Sequence, residues 1–463
     1  MAEQKKTDKK AAEEEQKIIY MSKCINNEVL YEQIYKDGKH LFVYMDKEKG
    51  LKYINQLQPK SEVIKPIIGE EVELGALKMP SGATDYGNTQ QLINDIEVHI
   101  YKYLDLSDNF RKFAAYYVLL SWLYDRFRTI PYLRAIGDTG VGKSRFLDVI
   151  GGLCYKPISA SGCVTPAPMY RLIRRWAGTL IIDEADLKNS DEYSEIVTIL
   201  NCGFETNRPV IRSTKDNPDK VQFLPTYGPK ILATRRRFQD AALEARCLTE
   251  IMTETARDDI PVVLGKEFYQ EEENLRNKLL LFRLNNYFSV DPDQKVNLDL
   301  KGIEPRLRQI SSAFSSLFAN EPSVLKDYKE FIGKHQQEVI EQRLGSPAGQ
   351  VVEKMFMVMN SLYKKEGLKN GDILNITSTD IADRTGLSPN VVGQILKTLG
   401  VEVKLKKYDG VAKRRIVYYE NTFNLLKRRY ISEEGNEVTA VTAVTGNRQE
   451  ENSLLDFSDM ARK

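Results

Sequence analysis

The stretch Ala135–Leu147 reads AIGDTGVGKSRFL. Gly137, Gly142, Lys143 and Ser144 meet the pattern G-x-x-x-x-G-K-[ST] of a phosphate-binding loop. Glycines let the backbone curl until the N–H groups from Gly137 through Asp138, Thr139, Gly140, Val141 and Gly142 converge on phosphate oxygens. The Lys143 ammonium then reaches the β- and γ-phosphates, and the Ser144 hydroxyl holds Mg2+. The flanks agree. PYLRAI before the loop is a short apolar strand, and SRFLDVIGGL after it opens an amphipathic helix that presents its N-terminus to the phosphates. That context predicts a nucleotide site and not merely a glycine-containing turn.

Further on, GTLIIDEAD is an apolar strand, Thr179 to Ile182, that ends in Asp183 and Glu184. Asp183 at the strand tip can hold the shell of Mg2+. Glu184 can orient or deprotonate an attacking water. An acidic strand tip by itself is common. Following a phosphate loop, it predicts hydrolysis of ATP and not nucleotide storage.

Composition narrows the partners. Among 463 residues, 67 are basic and 65 acidic, a formal charge of only +2. Contact with nucleic acid must therefore come from local patches. Five cysteines, with no C-x-x-C pair, and three dispersed histidines argue for reduced cytoplasmic thiols, against a zinc centre or a disulfide framework. No apolar run is long enough for a membrane span, and the charged start MAEQKKTDKKAAEEEQK lacks the apolar segment of a secretory signal. The expectation is a cytoplasmic chain without membrane contact.

The pattern along the chain predicts an α/β fold. Residues 1–17 read as a flexible charged tail and 18–85 as a small β-rich N-terminal module with a hairpin turn at Asp37-Gly38. That module is either a packing cap or something more. From 86 to 260, strands alternate with helices, the signature of a parallel sheet covered on both faces. An aromatic stripe there, Phe110, Phe113, Tyr117, Trp122 and Tyr124, reads as core, and Ser107 as a helix cap. Residues 261–345 are helical, 346–430 form a compact pattern of helices and a hairpin, and 431–463 are a polar tail containing SLLDF, either solvated or a docking motif.

PYLRAIGDTGVGKSRFL, TLIIDEADL, ILNCGFETNRPVIRS, YGPKILATRRRF and ALEARCL, in this order, resemble the AAA+ ATPases, and within them the minichromosome-maintenance-like replicative helicases of bacterial mobile elements. The resemblance runs from about Leu92 to Leu344. It implies an AAA+ P-loop sheet with a helical lid over 261–345. It also implies a γ-phosphate sensor at Thr234 and an arginine, Arg246, that reaches the ATP of a neighbouring subunit, hence a homo-oligomeric ring read as a hexamer. A second sensor on the lid falls on Arg306, with Arg308 and Arg276 as alternatives. A hairpin in PVIRSTKDNPDKVQFL would enter the ring channel, where Arg212, Lys215 and Lys220 suit the phosphates of single-stranded DNA; an ordinary surface hairpin is the other reading. Two departures stand out: the N-terminal region is short and lacks paired cysteines, and Cys247 follows Arg246 where eukaryotic and archaeal members carry Phe.

The C-terminal pattern reads as a winged helix. Ser378 opens a short helix that Gly386 breaks, Ser388-Pro389 caps a second, and Tyr408-Asp409-Gly410 turns a basic hairpin. Asn390, Gln394 and Lys397 would meet bases of duplex DNA, and Lys413, Arg414 and Arg415 its phosphates. Such modules also serve protein contacts. Together these expectations describe an ATP- and Mg2+-dependent ring motor on DNA, a replicative or replication-initiation helicase with tails that can reach replication proteins. The rival is an ATP-switched DNA-binding regulator that does not unwind.

Overall fold

A computed structural model of the chain describes residues 17–59, 62–160, 165–183, 191–213, 219–238, 240–294, 300, 302–363 and 367–431. They fall into two compact units. Among the described residues, one holds the chain up to 294 with Gln309–Leu325; the other holds 300–308 and the chain from 326 to 431.

In the first unit, β1 (Lys17–Met21) pairs in parallel with β6 (Glu62–Pro66), while β2 (Lys23–Asn26), β3 (Val29–Lys36), β4 (Lys39–Asp46) and β5 (Gly50–Ile54) form an antiparallel meander. Asp37 and Gly38 join β3 to β4 with φ of 49° and 75°, the left-handed pair that a two-residue hairpin requires. The short α1 (Glu70–Glu73) leads to α2 (Thr89–Tyr103) and α3 (Asp108–Trp122). The aromatic stripe of α3 is buried, with Tyr124 just beyond it, so it is packing. Ser107 stands at the cap position of α3, but its hydroxyl is spent on Glu250.

The sheet follows: β7 (Tyr132–Ile136), α4 (Lys143–Val149), β8 (Ile158–Ala160), α5 (Pro166–Trp176), β9 (Leu180–Ile182), α6 (Asp191–Cys202), the hairpin β10 (Val210–Ser213) and β11 (Val221–Leu224), β12 (Lys230–Thr234), α7 (Ala241–Glu244) and β13 (Cys247–Ile251). Its order is β13-β7-β12-β9-β8, parallel throughout. Every residue of β7, β9 and β12 is buried, as expected of strands covered on both faces. Parallel strands end on one edge. Because β12 lies between β7 and β9, the phosphate loop, Thr234 and Asp183 emerge side by side.

The expected boundary between an N-terminal module ending at 85 and a core beginning at 86 does not appear; both lie in the first unit. Glu32 of β3 is buried against Lys156 at 3.0 Å and against Arg283 of α8 (Lys266–Asn286) at 2.7 Å. Arg283 also forks onto Asp125, which pairs with Lys23 of β2 at 2.5 Å. Burial opposes ionisation of Glu32, yet Lys156 and Arg283 hold its carboxyl below the usual range; burial pulls Lys156 down to about 8. Charges this deep persist only when paired, so the meander is bolted to the sheet. The helix α8, read from sequence as the start of a lid, belongs to that assembly.

The division between units falls within α9 (Pro305–Leu317) and α10 (Pro322–Leu344). The second unit continues with α11 (Pro347–Leu362), α12 (Ser378–Thr385), α13 (Pro389–Thr398), the antiparallel hairpin β14 (Val403–Tyr408) and β15 (Val411–Ile416), and α14 (Glu420–Tyr430). Val351, Met355, Ile381, Val392, Leu396 and Phe423 close its core. Thr377, one residue before the expected start, caps α12: its hydroxyl accepts from the Asp380 N–H while the Asp380 carboxylate accepts from the Thr377 N–H.

Candidate nucleotide site and basic surfaces

The phosphate loop leaves β7 at Gly137. A Cβ there would stand 2.5 Å from Val141 Cγ2 and 2.8 Å from the Met252 carbonyl, so close approach demands glycine. Gly142, with φ of 91°, takes the left-handed conformation that turns the chain into α4. Beside the loop lies a cavity of about 300 Å³ lined by Thr139, Gly140, Gly142, Lys143, Ser144, Asp183 and Thr234, together with Arg145 and Arg235. Residues far apart in sequence thus share one wall.

Lys143 donates to the Gly137 carbonyl at 2.8 Å and to that of Asp138. The Ser144 hydroxyl donates to Asp183 Oδ2 at 3.1 Å. Two hard oxygen donors side by side fit Mg2+, which takes few protein ligands and completes its shell with water and phosphate. Thr234 is fully buried, and its hydroxyl has no hydrogen-bond partner. Such a group is costly unless a ligand or water completes it, and it stands on the cavity wall. Glu184 and Lys215 lie outside the described residues.

Arg246 immediately precedes β13. Its carbonyl accepts from the Tyr132 N–H, and Cys247 pairs with Tyr132, so it sits where β7 and β13 begin. The cavity is at the other end of those strands, and a five-residue strand spans roughly 16 Å. The guanidinium donates to Asn201 Oδ1 at 2.9 Å and to the Ala242 carbonyl, and lies over the Phe204 ring. It is out of reach of its own chain's nucleotide. Arg306 is half-buried and Arg308 exposed on α9. The alternative Arg276 is corrected: buried, it donates to the Gly152 carbonyl at 3.0 Å and pairs with Glu272 at 2.9 Å, which ties α8 to the segment behind α4.

The hairpin β10–β11 turns Arg212 toward α6, where it pairs with Glu195 and lies over the Tyr170 ring. The hydrogen bond with Glu195 raises its pKa further, so its charge is largely answered at home. On the opposite face Ile211 pairs with Phe223, both exposed, and Lys220, just before β11, is exposed as well.

In the second unit, Asn390, Gln394 and Lys397 are exposed along α13, and Lys413 and Arg414 on β15. Arg415 departs from expectation as a phosphate contact. It is only 5% exposed, donates to Asn375 Oδ1 and the Lys406 carbonyl, and lies 4.8 Å from the Tyr408 ring centroid. The strand enters the core at Ile416 and carries the neighbouring guanidinium in with it.

Two cavity residues escaped the sequence reading. Arg145 has its guanidinium taken by the carbonyls of Pro261 and Val262, which ties α4 to the segment after β13. Arg235 directly follows Thr234, and the run TRRRF was its signal.

No family model matches the chain, and no curated protein matches it by sequence. Among solved structures, the apo C-terminal region of NrS-1 is similar with a TM-score of 0.36 and 11% identity, over 84% of this chain and 96% of that one. SCCmec type IV Cch, described as an active helicase, gives 0.35 and 13%, over 86% and 80%. A full-length MCM homolog from Methanopyrus kandleri gives 0.34 and 8%, over 65% and 75%. These TM-scores are low, and the fold is assigned on the chain's own geometry. A parallel sheet whose adjacent strand ends bring a glycine-rich loop, Lys143, Ser144 and Asp183 around one cavity is a P-loop NTPase fold, as the resemblance to the AAA+ ATPases implies.

Proposed function

We propose that this chain is an ATP-hydrolysing ring motor that translocates on and unwinds DNA, serving replication or its initiation on a mobile element. The observation that carries the reading is the Ser144–Asp183 hydrogen bond at 3.1 Å, beside Lys143 and the unpartnered Thr234 hydroxyl. Mg2+ bound by Ser144 and Asp183 supplies charge neutralisation on the phosphate oxygens. Lys143 exchanges the loop carbonyls for the β- and γ-phosphates. Glu184 accepts the proton of the attacking water, and Thr234 hydrogen-bonds the γ-phosphate or that water.

Arg246, remote from its own cavity, serves the site of the next subunit, and a ring of subunits, read as a hexamer, follows. Of residues 261–345, the part beyond α8 acts as the lid, with Arg306 as its sensor. Lys215 and Lys220 hold single-stranded DNA. The elements from α11 to α14 act as a winged helix on duplex DNA, with Asn390, Gln394 and Lys397 at base edges and Lys413 and Arg414 at phosphates. The tails 1–17 and 431–463 reach replication proteins, and the protein is cytoplasmic.

Strand displacement on forks of both polarities, run beside ATP turnover with and without single-stranded DNA, tests the reading. ATP-dependent opening of one polarity with stimulated turnover is expected. Stimulation by neither DNA form, with every fork left closed, would leave the ATP-switched regulator in its place.

A further inference from the structure

Ser22, one residue past β1, donates from its hydroxyl to the Trp176 carbonyl at 3.1 Å, and Arg175 donates to the Ile68 carbonyl at 2.7 Å. These two bonds hold the ends of β1 and β6 against the last turn of α5. At that junction lies a pocket of about 480 Å³ lined by Tyr20, Ile67, Ile68, Arg174 and Arg175, a size that suits a small ligand or one unit of a polymer. Its wall is closely packed. A Cβ on Gly69 would stand 2.2 Å from Glu71 Oε2 and 3.0 Å from Arg175 Nη2, so glycine lets the chain pass there. The helix α5 leads into the start of β9, and Asp183 follows the end of that strand. The pocket is therefore at the edge of the sheet away from the nucleotide cavity.

The helix beside it is strongly basic. PAPMYRLIRRW holds three arginines and no acid in 11 residues, within a chain of formal charge +2. Arg175 is committed to the Ile68 carbonyl, to Glu71 at 3.7 Å and to the Trp176 ring. Arg171 and Arg174 are exposed, and among the described residues neither has a hydrogen-bond or ion-pair partner. Three residues apart, they stand on one face of the helix. Tyr20 presents its ring, 55% exposed, and Lys65 is its neighbour in the β1–β6 register. Unanswered cations would suit any anion. The open ring face beside two isoleucines favours a stacked base with its phosphates over an acidic peptide.

We propose that this pocket is a second site for single-stranded DNA, separate from the hairpin β10–β11: one base stacks on Tyr20 beside Ile67 and Ile68, and Arg174 and Arg171 hold successive phosphates. The inference rests on the DNA half of the proposed function and is independent of ATP hydrolysis. Because β1, β6 and α5 are already tied together, the strand meets a formed surface and little ordering opposes binding.

Fluorescence anisotropy of the full chain without nucleotide, with a labelled oligothymidylate and a salt titration, tests the site. Arg171→Ala with Arg174→Ala should lower the salt slope by about 1.4, about 0.7 for each phosphate of a single strand. Arg171→Lys with Arg174→Lys should keep the slope, since point charges still answer phosphates. Tyr20→Ala should weaken binding by about tenfold at unchanged slope, whereas Tyr20→Phe should bind as the unaltered chain does, because the ring stacks and the hydroxyl does not. An abasic strand of the same length should be held equally by Tyr20→Ala and the unaltered chain. ATP turnover without DNA should be the same in every variant.

Unchanged affinity and slope in the double Ala variant and in Tyr20→Ala would overturn the site. So would a loss in Tyr20→Ala that persists on the abasic strand, which would make the ring structural. Binding of a labelled oligoglutamate, abolished by the same changes while the oligothymidylate is held as before, would give the pocket to an acidic protein partner instead. Absence of oligothymidylate binding by the unaltered chain at every salt concentration would overturn the DNA reading as a whole.

Discussion

Lys230, the first residue of β12, is buried with only carbonyls for its ammonium: Thr226 at 2.8 Å, Gly228 at 3.0 Å and Gly203 at 3.4 Å. The Tyr132 ring lies beneath it. Burial without a carboxylate pulls its pKa down to about 7, against an ordinary value near 10.4. Between those values the folded chain has released a proton that the unfolded chain still binds. Stability therefore rises with pH across that window, by up to about 1.4 kcal/mol per pH unit, and this relief is absent below pH 7. Urea denaturation at pH 7, 8 and 9 should show a shallower rise in Lys230→Met than in the unaltered chain. Equal slopes would mean that the ammonium keeps its proton inside the sheet. The lysine sits at the edge away from the cavity, so its cost is structural and does not tune the chemistry.

At the scale of an element, the hairpin β14–β15 sorts its own cations. Lys413 and Arg414 stand in solvent, while Arg415 is folded onto Asn375 and Tyr408. Replacing Lys413 and Arg414 together by Ala should lower the salt slope of duplex binding by about two, one per lost phosphate contact, with the fold intact. Arg415→Ala should instead cost about 1 kcal/mol of stability, because it removes a buried side chain packed on the Tyr408 ring. A salt titration paired with a melting curve distinguishes the two; a change of salt slope in Arg415→Ala without loss of stability would reverse the assignment. The cap of α12 offers a second contrast. Thr377→Ala should cost about 1 kcal/mol, read as faster amide exchange across α12, whereas Ser378→Ala should cost only a few tenths.

Across the first unit as a whole, Glu32 is the keystone of a seam that joins the N-terminal meander to the sheet and α8. Glu32→Gln leaves Lys156 buried without its anion and Arg283 with Asp125 alone, and should destabilise the unit by about 3 kcal/mol. Its two carboxyls, Glu32 and Asp125, are both held below their usual range. The stabilisation they supply is complete above the ordinary carboxylate pKa near 4 and is lost as pH falls through the depressed folded values. Melting curves of the two proteins should therefore differ by a constant amount at neutral pH and converge in acid. A Glu32→Gln protein as stable as its parent at pH 7 would show the meander to be a removable module. Among the described residues, no helix is long and apolar enough to cross a membrane.

Spacing alone decided much of this. Gly137, Gly142, Lys143 and Ser144 identified the loop, because the backbone geometry that cradles phosphate leaves few residue choices. Apolar runs located β7, β9 and β12, and Asp37-Gly38, Gly386 and Ser388-Pro389 marked turns and caps, because these signals are local. Which cations are available for chemistry was not legible. Arg212, Arg276 and Arg415 look like Lys413 and Arg414 in sequence, yet the first three are taken up by Glu195, by Glu272 and by Asn375 with Tyr408. Nor could periodicity show that Glu32 meets Arg283 across the length of the unit. A charge is spent or free according to what the fold brings beside it, and that is decided by tertiary packing, where a buried ion must find its partner.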